Sequence, residues 1–167
     1  MSNFNLAELS LLKPEIFLAC ASMLFLVAGV LRRDEKAEGL VAILSLIALA
    51  VTGWLVLATP VSAVPVLGGM VIADSFAVLM KLLIVAGLAA AIALAMGQNK
   101  GKRMGCFEYP LLVLFAGLGM MLMVSAGNLL GVYVGLEMQS LALYVLAAIR
   151  RDDARSSEAG VKYFVLG

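Results

Sequence analysis

Apolar residues in this chain come in long unbroken runs, not in the alternation of a half-buried strand, and short charged segments separate the runs. The first run, about 16–31, is opened by Pro14 and Glu15, a favourable pair for a first helical turn, and is stopped by "RRDEKAE" at 32–38. The second, about 39–59, holds twenty-one uncharged residues, enough to cross about 30 Å of hydrocarbon at ~1.5 Å per residue. Pro60 and Pro65 end it. Residues 61–73, "VSAVPVLGGMVIA", are apolar but broken by Pro65 and by Gly68-Gly69, so they read as a partly buried loop or short hairpin and not as a further span. A third span, about 75–97, follows Asp74 as its N-cap and carries one charge, Lys81.

Beyond the polar "QNKGKRMGCFEY", residues 109–149 contain a single charge, and as one helix they would be about 60 Å long, twice the hydrocarbon thickness. The run must therefore fold back. Its only break rich in small and polar residues is "SAGN" at 125–128, which gives a fourth span at about 110–124 and a fifth at about 129–149. After "RRDDARSSEAG" a sixth begins at about 158, leading into "VKYFVLG". The predicted fold is all-α: a polytopic transmembrane helix bundle of five spans plus the start of a sixth. Composition agrees, since 14% of residues are charged against about 25% in a soluble domain.

Ten of the twelve basic residues are sorted by loop, the other two, Lys81 and Lys162, lying within spans. Arg32, Arg33 and Lys36 follow the first span; Lys100, Lys102 and Arg103 the third; Arg150, Arg151 and Arg155 the fifth; only Lys13 falls on the other side. The positive-inside rule then places the N-terminus outside. The start, "MSNFNLAELSLLKPE", lacks the basic head and short apolar core of a cleaved signal peptide, so the first helix reads as retained. A net charge of +1 offers no basic patch for nucleic acid. Two distant cysteines, Cys20 and Cys106, and no histidine cannot supply the clustered ligands of a haem, zinc or iron-sulfur site, so no cofactor is expected in this chain.

Chemistry is concentrated in the fifth span. Tyr133, Glu137, Ser140 and Tyr144 are spaced by four, three and four residues and share one helix face. Gly127, Gly131 and Gly135 repeat every four residues as a small-residue stripe for close helix packing, about 200° around from Glu137. A carboxylate in hydrocarbon is costly, so Glu137 is read as a proton carrier in preference to a protonated acid that only bonds a neighbouring helix. Lys81, at a similar depth, either pairs with Glu137 or snorkels to the outer interface. Lys162 follows Glu158 by four residues, in the favourable order for a helical pair, about one turn inside the sixth span.

The segments "GLEMQSLALYVLAA" and "SSEAGVKYFVLG" resemble the subunit N family of the proton-pumping NADH-quinone oxidoreductases, respiratory complex I, with the chain covering roughly the N-terminal third of such a subunit. The resemblance implies an antiporter-like fold of inverted repeats with broken helices. It implies that Glu137 stands where the family's fifth-helix glutamate pairs with a seventh-helix lysine lying beyond this sequence, and that Lys162 is near the entrance of the proton path. It further implies other membrane-arm subunits, the lipid bilayer and transported protons as partners. NADH, flavin, iron-sulfur clusters and quinone are then expected in other subunits, and the bacterial inner membrane as the location. A subunit of a multisubunit sodium/proton antiporter shares that fold, though "SSEAGVKYF" argues against it. A structural membrane fragment without transport is the third reading.

Overall fold

A computed structural model describes residues 10–31, 35–66, 68–98, 107–150 and 152–167. A 3-10 turn, Ser10–Leu12, leads directly into α1 (Lys13–Leu31). There follow α2 (Glu35–Ala58), the strands β1 (Ser62–Val66) and β2 (Val71–Ala73), then α3 (Ser75–Gln98), α4 (Glu108–Val124), α5 (Leu129–Ala147) and α6 (Ala154–Leu166). Four helices, Ser10–Leu31 with its 3-10 start, Gly39–Ala58, Ser75–Gly97 and Leu129–Ala147, are long and apolar enough to cross a membrane. The helix Glu108–Val124 is apolar but shorter, at 17 residues.

Side-chain caps set three of the helix starts. Asp74 Oδ1 accepts from the Ala77 N–H at 2.7 Å, and Asn128 Oδ1 from the Gly131 N–H at 2.8 Å, each satisfying a backbone donor of a first turn. Asp153 Oδ1 accepts from the Arg155 N–H at 2.9 Å. This cap starts α6 at Ala154, four residues ahead of the start near 158 drawn from hydropathy, because a polar first turn is helical without being apolar. Ser22 and Thr52 within the apolar helices, and Thr59 just past α2, turn their hydroxyls back to the carbonyls of Ala19, Ala48 and Leu55, at 2.9, 2.7 and 2.7 Å, whereas the buried hydroxyl of Ser45 in α2 has no partner among the described residues.

β1 and β2 form an antiparallel hairpin, pairing Ser62 with Ala73 and Val66 with Val71. The register slips between those pairs, where Pro65 has no N–H to give to the ladder. Gly68 and Gly69 turn the hairpin at φ of 67° and 89°, a region that side chains disfavour. The hairpin is tied to the α4–α5 turn: the Ile72 N–H donates to Ser125 O at 2.9 Å, and the Gly127 N–H to Met70 O at 2.8 Å.

Helices α1 to α4 close a ring. α1 packs on α2 and α4, and α3 packs on the same two, so α1 and α3 stand at opposite corners while α2 and α4 touch across the short diagonal. Leu18, Leu49, Ile92, Leu114 and Met121, one or more from each of the four helices, are fully buried at the centre. α4 is the pivot, because its other side carries α5, and α5 in turn carries α6.

Candidate functional site

α5 is placed by a backbone-to-backbone contact. A Cβ at Gly135 would stand 2.8 Å from both Gly119 O and Met123 N on α4, and one at Gly119 would stand 2.6 Å from Gln139 N on α5. Only hydrogen at these two positions permits such an approach. Of the three stripe glycines, Gly135 alone meets a neighbouring helix. Gly131 lies over its own cap, beside Ala126 and Asn128, and Gly127 faces the backbone of Gly69 in the hairpin. The four-residue repeat therefore joins three different contacts: a helix seat, a helix cap and a loop.

Seating Gly135 and Gln139 on α4 turns the next face outward. Glu137, two residues beyond Gly135 and about 200° around at 3.6 residues per turn, faces away from α4 and is half-buried. Among the described residues it has no ion-pair or hydrogen-bond partner. On the same face Tyr133 is 60% exposed and Ser140 half-buried. Tyr144, also on that face, is occupied: its ring meets Tyr163 and Phe164 of α6 edge-on, with centroids 5.0 and 5.6 Å apart. α6 is fastened a turn further along, where Ser156 Oγ donates to Ala147 O at 2.8 Å. Lys162 lies on the exposed side of α6, its ammonium 2.5 Å from Glu158, with the two side chains 67% and 62% exposed.

Lys81 meets neither Glu137 nor the interface. It is 4% exposed inside the ring, and its ammonium lies 2.5 Å from the carboxylate of Glu15, itself 3% exposed. Neither Glu15 oxygen has a directed hydrogen bond among the described residues, so the ammonium is its main compensation. Sequence reading assigns Glu15 to a first turn and misses this pair. A usable signal was depth. Counted from Ser10 through the 3-10 turn, Glu15 is about 10 Å in, and Lys81 counted from Ser75 is about 9 Å in. Cys106 falls outside the described residues.

Residues 126–167, which hold Glu137, Tyr144 and Lys162, match the family described as NADH:quinone oxidoreductase/Mrp antiporter, TM. Over 160 residues, 95% of its length, the chain is 48% identical to NADH-quinone oxidoreductase subunit N of Granulibacter bethesdensis. Over nearly its whole length the chain is similar to NADH-quinone oxidoreductase subunit N. The subunit N of Paramagnetospirillum magneticum is 46% identical over 92% of the chain. A chain of respiratory complex I from Thermus thermophilus with bound Aureothin superposes with a TM-score of 0.71 at 31% identity, covering 92% of this chain and 32% of that one. Subunit N is thus matched in sequence, and a chain of respiratory complex I in helix arrangement. The chain spans about a third of its relatives' length, 33% and 31% of the two subunits named. It is a multi-pass membrane chain.

Proposed function

We propose that this chain is part of a proton-translocating membrane-arm subunit of NADH-quinone oxidoreductase, in which Glu137 holds and releases the transported proton. The observation that carries the reading is the placement of Glu137: a carboxylate on an apolar helix, in the segment shared with the family, turned away from the helix that seats it and left without a partner among the described residues. An acid in hydrocarbon calls for a named counterpart. Neither described lysine near a helix core serves, because Lys81 is engaged by Glu15 and Lys162 by Glu158. The resemblance to subunit N implies that the counterpart is a seventh-helix lysine lying beyond this sequence. A lysine that approaches favours the carboxylate, and one that withdraws favours the protonated acid, so its movement makes the proton bind and leave.

Electron transfer belongs to other subunits, which carry NADH, flavin, iron-sulfur clusters and quinone; the neighbouring membrane-arm subunits and the lipid of a bacterial inner membrane are the direct partners. The family description also names the Mrp antiporter, but the relatives are named as subunit N at 46% and 48% identity, which favours the oxidoreductase. Proton uptake into membrane vesicles during quinone reduction, compared between full-length protein with acid and with amide at position 137, tests the assignment; equal uptake removes it.

Lys162 sits near the entrance of the path in this reading. Exposed ion pairs contribute at most about 1 kcal/mol, so Lys162→Ala is expected to slow proton uptake by no more than about fivefold with assembly unchanged. A loss as complete as that at Glu137 would move Lys162 into the centre of the path. Orientation is tested with the natural thiols. A membrane-impermeant maleimide is expected to label Cys106 only from the cytoplasmic face. Cys20, exposed on α1 and covered by lipid instead of protein, stays unlabelled from both faces. Labelling of Cys106 from outside reverses the topology.

A further inference from the structure

Among the described residues, the buried charges outside the proposed proton path are Glu15 and Lys81. They come from α1 and α3, the opposite corners of the ring, and they meet in its core with no directed hydrogen bond to either carboxylate oxygen. A buried pair of this kind is often no more stable than two apolar side chains of similar size, whereas removing one member leaves a charge stranded. What such a pair supplies is a choice among arrangements. Four apolar helices pack in more than one rotational setting, but only a setting that turns these faces of α1 and α3 to the centre of the ring brings this acid to this base. Turning either helix away leaves both unpaired in hydrocarbon.

We propose that Glu15 and Lys81 are positioning residues that fix which faces of α1 and α3 turn to the ring's centre and thereby set the place of Glu137, without carrying a proton themselves. The route is contiguous. α1 and α3 together flank α4, the glycine contact between Gly119 and Gly135 transfers the placement of α4 to α5, and Glu137 follows Gly135 by two residues. The side of α4 toward the ring is lined by Leu114, Leu118 and Met121, all buried and apolar, so no polar chain of this helix leads from the pair to Glu137.

This rests on Glu137 as the proton-transfer group, and the test separates the two. Full-length protein in its membrane complex is assayed for assembled complex on native gels and for protons taken up per electron. Glu15→Gln and Lys81→Gln alone each strand one charge, and assembled complex is expected to fall roughly tenfold or more. The double Gln variant, whose two amides can still hydrogen-bond across the same gap, and the exchange of Glu15→Lys with Lys81→Glu are expected to restore both assembly and the proton-to-electron ratio. Glu15→Asp keeps the charge but shortens the tie by one methylene; it is expected to assemble and to lower the ratio about twofold or more, because displacements near 1 Å are felt at a reacting group. An unchanged ratio in Glu15→Asp overturns positioning. So does a double Gln variant that assembles but does not pump, since the pair would then carry protons, or a pair of single variants indistinguishable from the parent. If the double Gln variant fails to assemble, the charge exchange decides, and its failure also overturns the proposal. Glu137→Gln runs alongside: normal pumping there removes the reading of Glu137, whatever the pair does.

Discussion

Replacing Glu137 by Gln in the full-length protein is expected to leave assembly intact and to cut proton uptake by roughly tenfold or more, in keeping with the ~10²–10⁴-fold that a positioned proton-transfer group contributes. Quinone reduction falls with it, because coupled electron flow stalls when the proton cannot move. The amide keeps the size and polarity of the acid and removes only the titrating oxygen, so packing offers no rival explanation. α5 is seated through Gly135 and Gln139, not through the side chain at 137, which makes normal assembly a firm expectation. Glu137→Asp retains the acid one methylene further back and should keep part of both activities. Vesicle proton uptake, electron transfer and native-gel content measured on one preparation separate these outcomes. A Gln variant that assembles and pumps at the parental rate makes the carboxylate structural.

The second large effect is expected at the helix seat. Gly135→Leu puts a branched side chain where a single Cβ already stands 2.8 Å from backbone atoms of Gly119 and Met123. Backbone on both sides cannot yield as a flexible side chain would, so α5 must lift away from α4. Overpacking costs about 1–3 kcal/mol for modest insertions, and Leu lies at or beyond the upper end. Assembled complex should fall to a small fraction of the parental level, with Gly135→Ala intermediate. At Gly131, where an added Cβ meets Ala126 and Asn128 of the same cap at 3.0 and 3.2 Å, substitution with Ala should cost less. Equal losses at the two positions would mean that the stripe acts as one surface after all.

The positions of the helices could be read from hydropathy because each apolar run is closed by charge, proline or a capping side chain within a few residues. The return at 125–128 was legible for the same reason: a helix of twice the hydrocarbon thickness has no place in a bilayer. Which helix faces which was not legible. Local periodicity shows that Gly135 and Glu137 lie on different faces, but the partner of each is chosen by the other helices. Lys81 illustrates the limit. Its neighbours in sequence are uniformly apolar, so nothing near it distinguishes Glu15 on α1 from Glu137 on α5, and depth alone leaves both acids open. The stripe Gly127, Gly131 and Gly135 shows the converse, a regular spacing that spans three unrelated contacts because the helix begins only at Leu129.

The diagonal ion pair also has a consequence in time. Lys81 follows Glu15 by 66 residues, so at ~5–20 residues per second the acid is made roughly 3 to 13 s before its counter-ion. During that interval α1 can pack on α2 alone: its other face is meant for α4, which is not yet synthesised, and its carboxylate has no ammonium to meet. The carboxylate of Glu15 waits uncompensated, and only the arrival of α3 brings the ammonium to it. The helix that is synthesised first is therefore among the last to be locked.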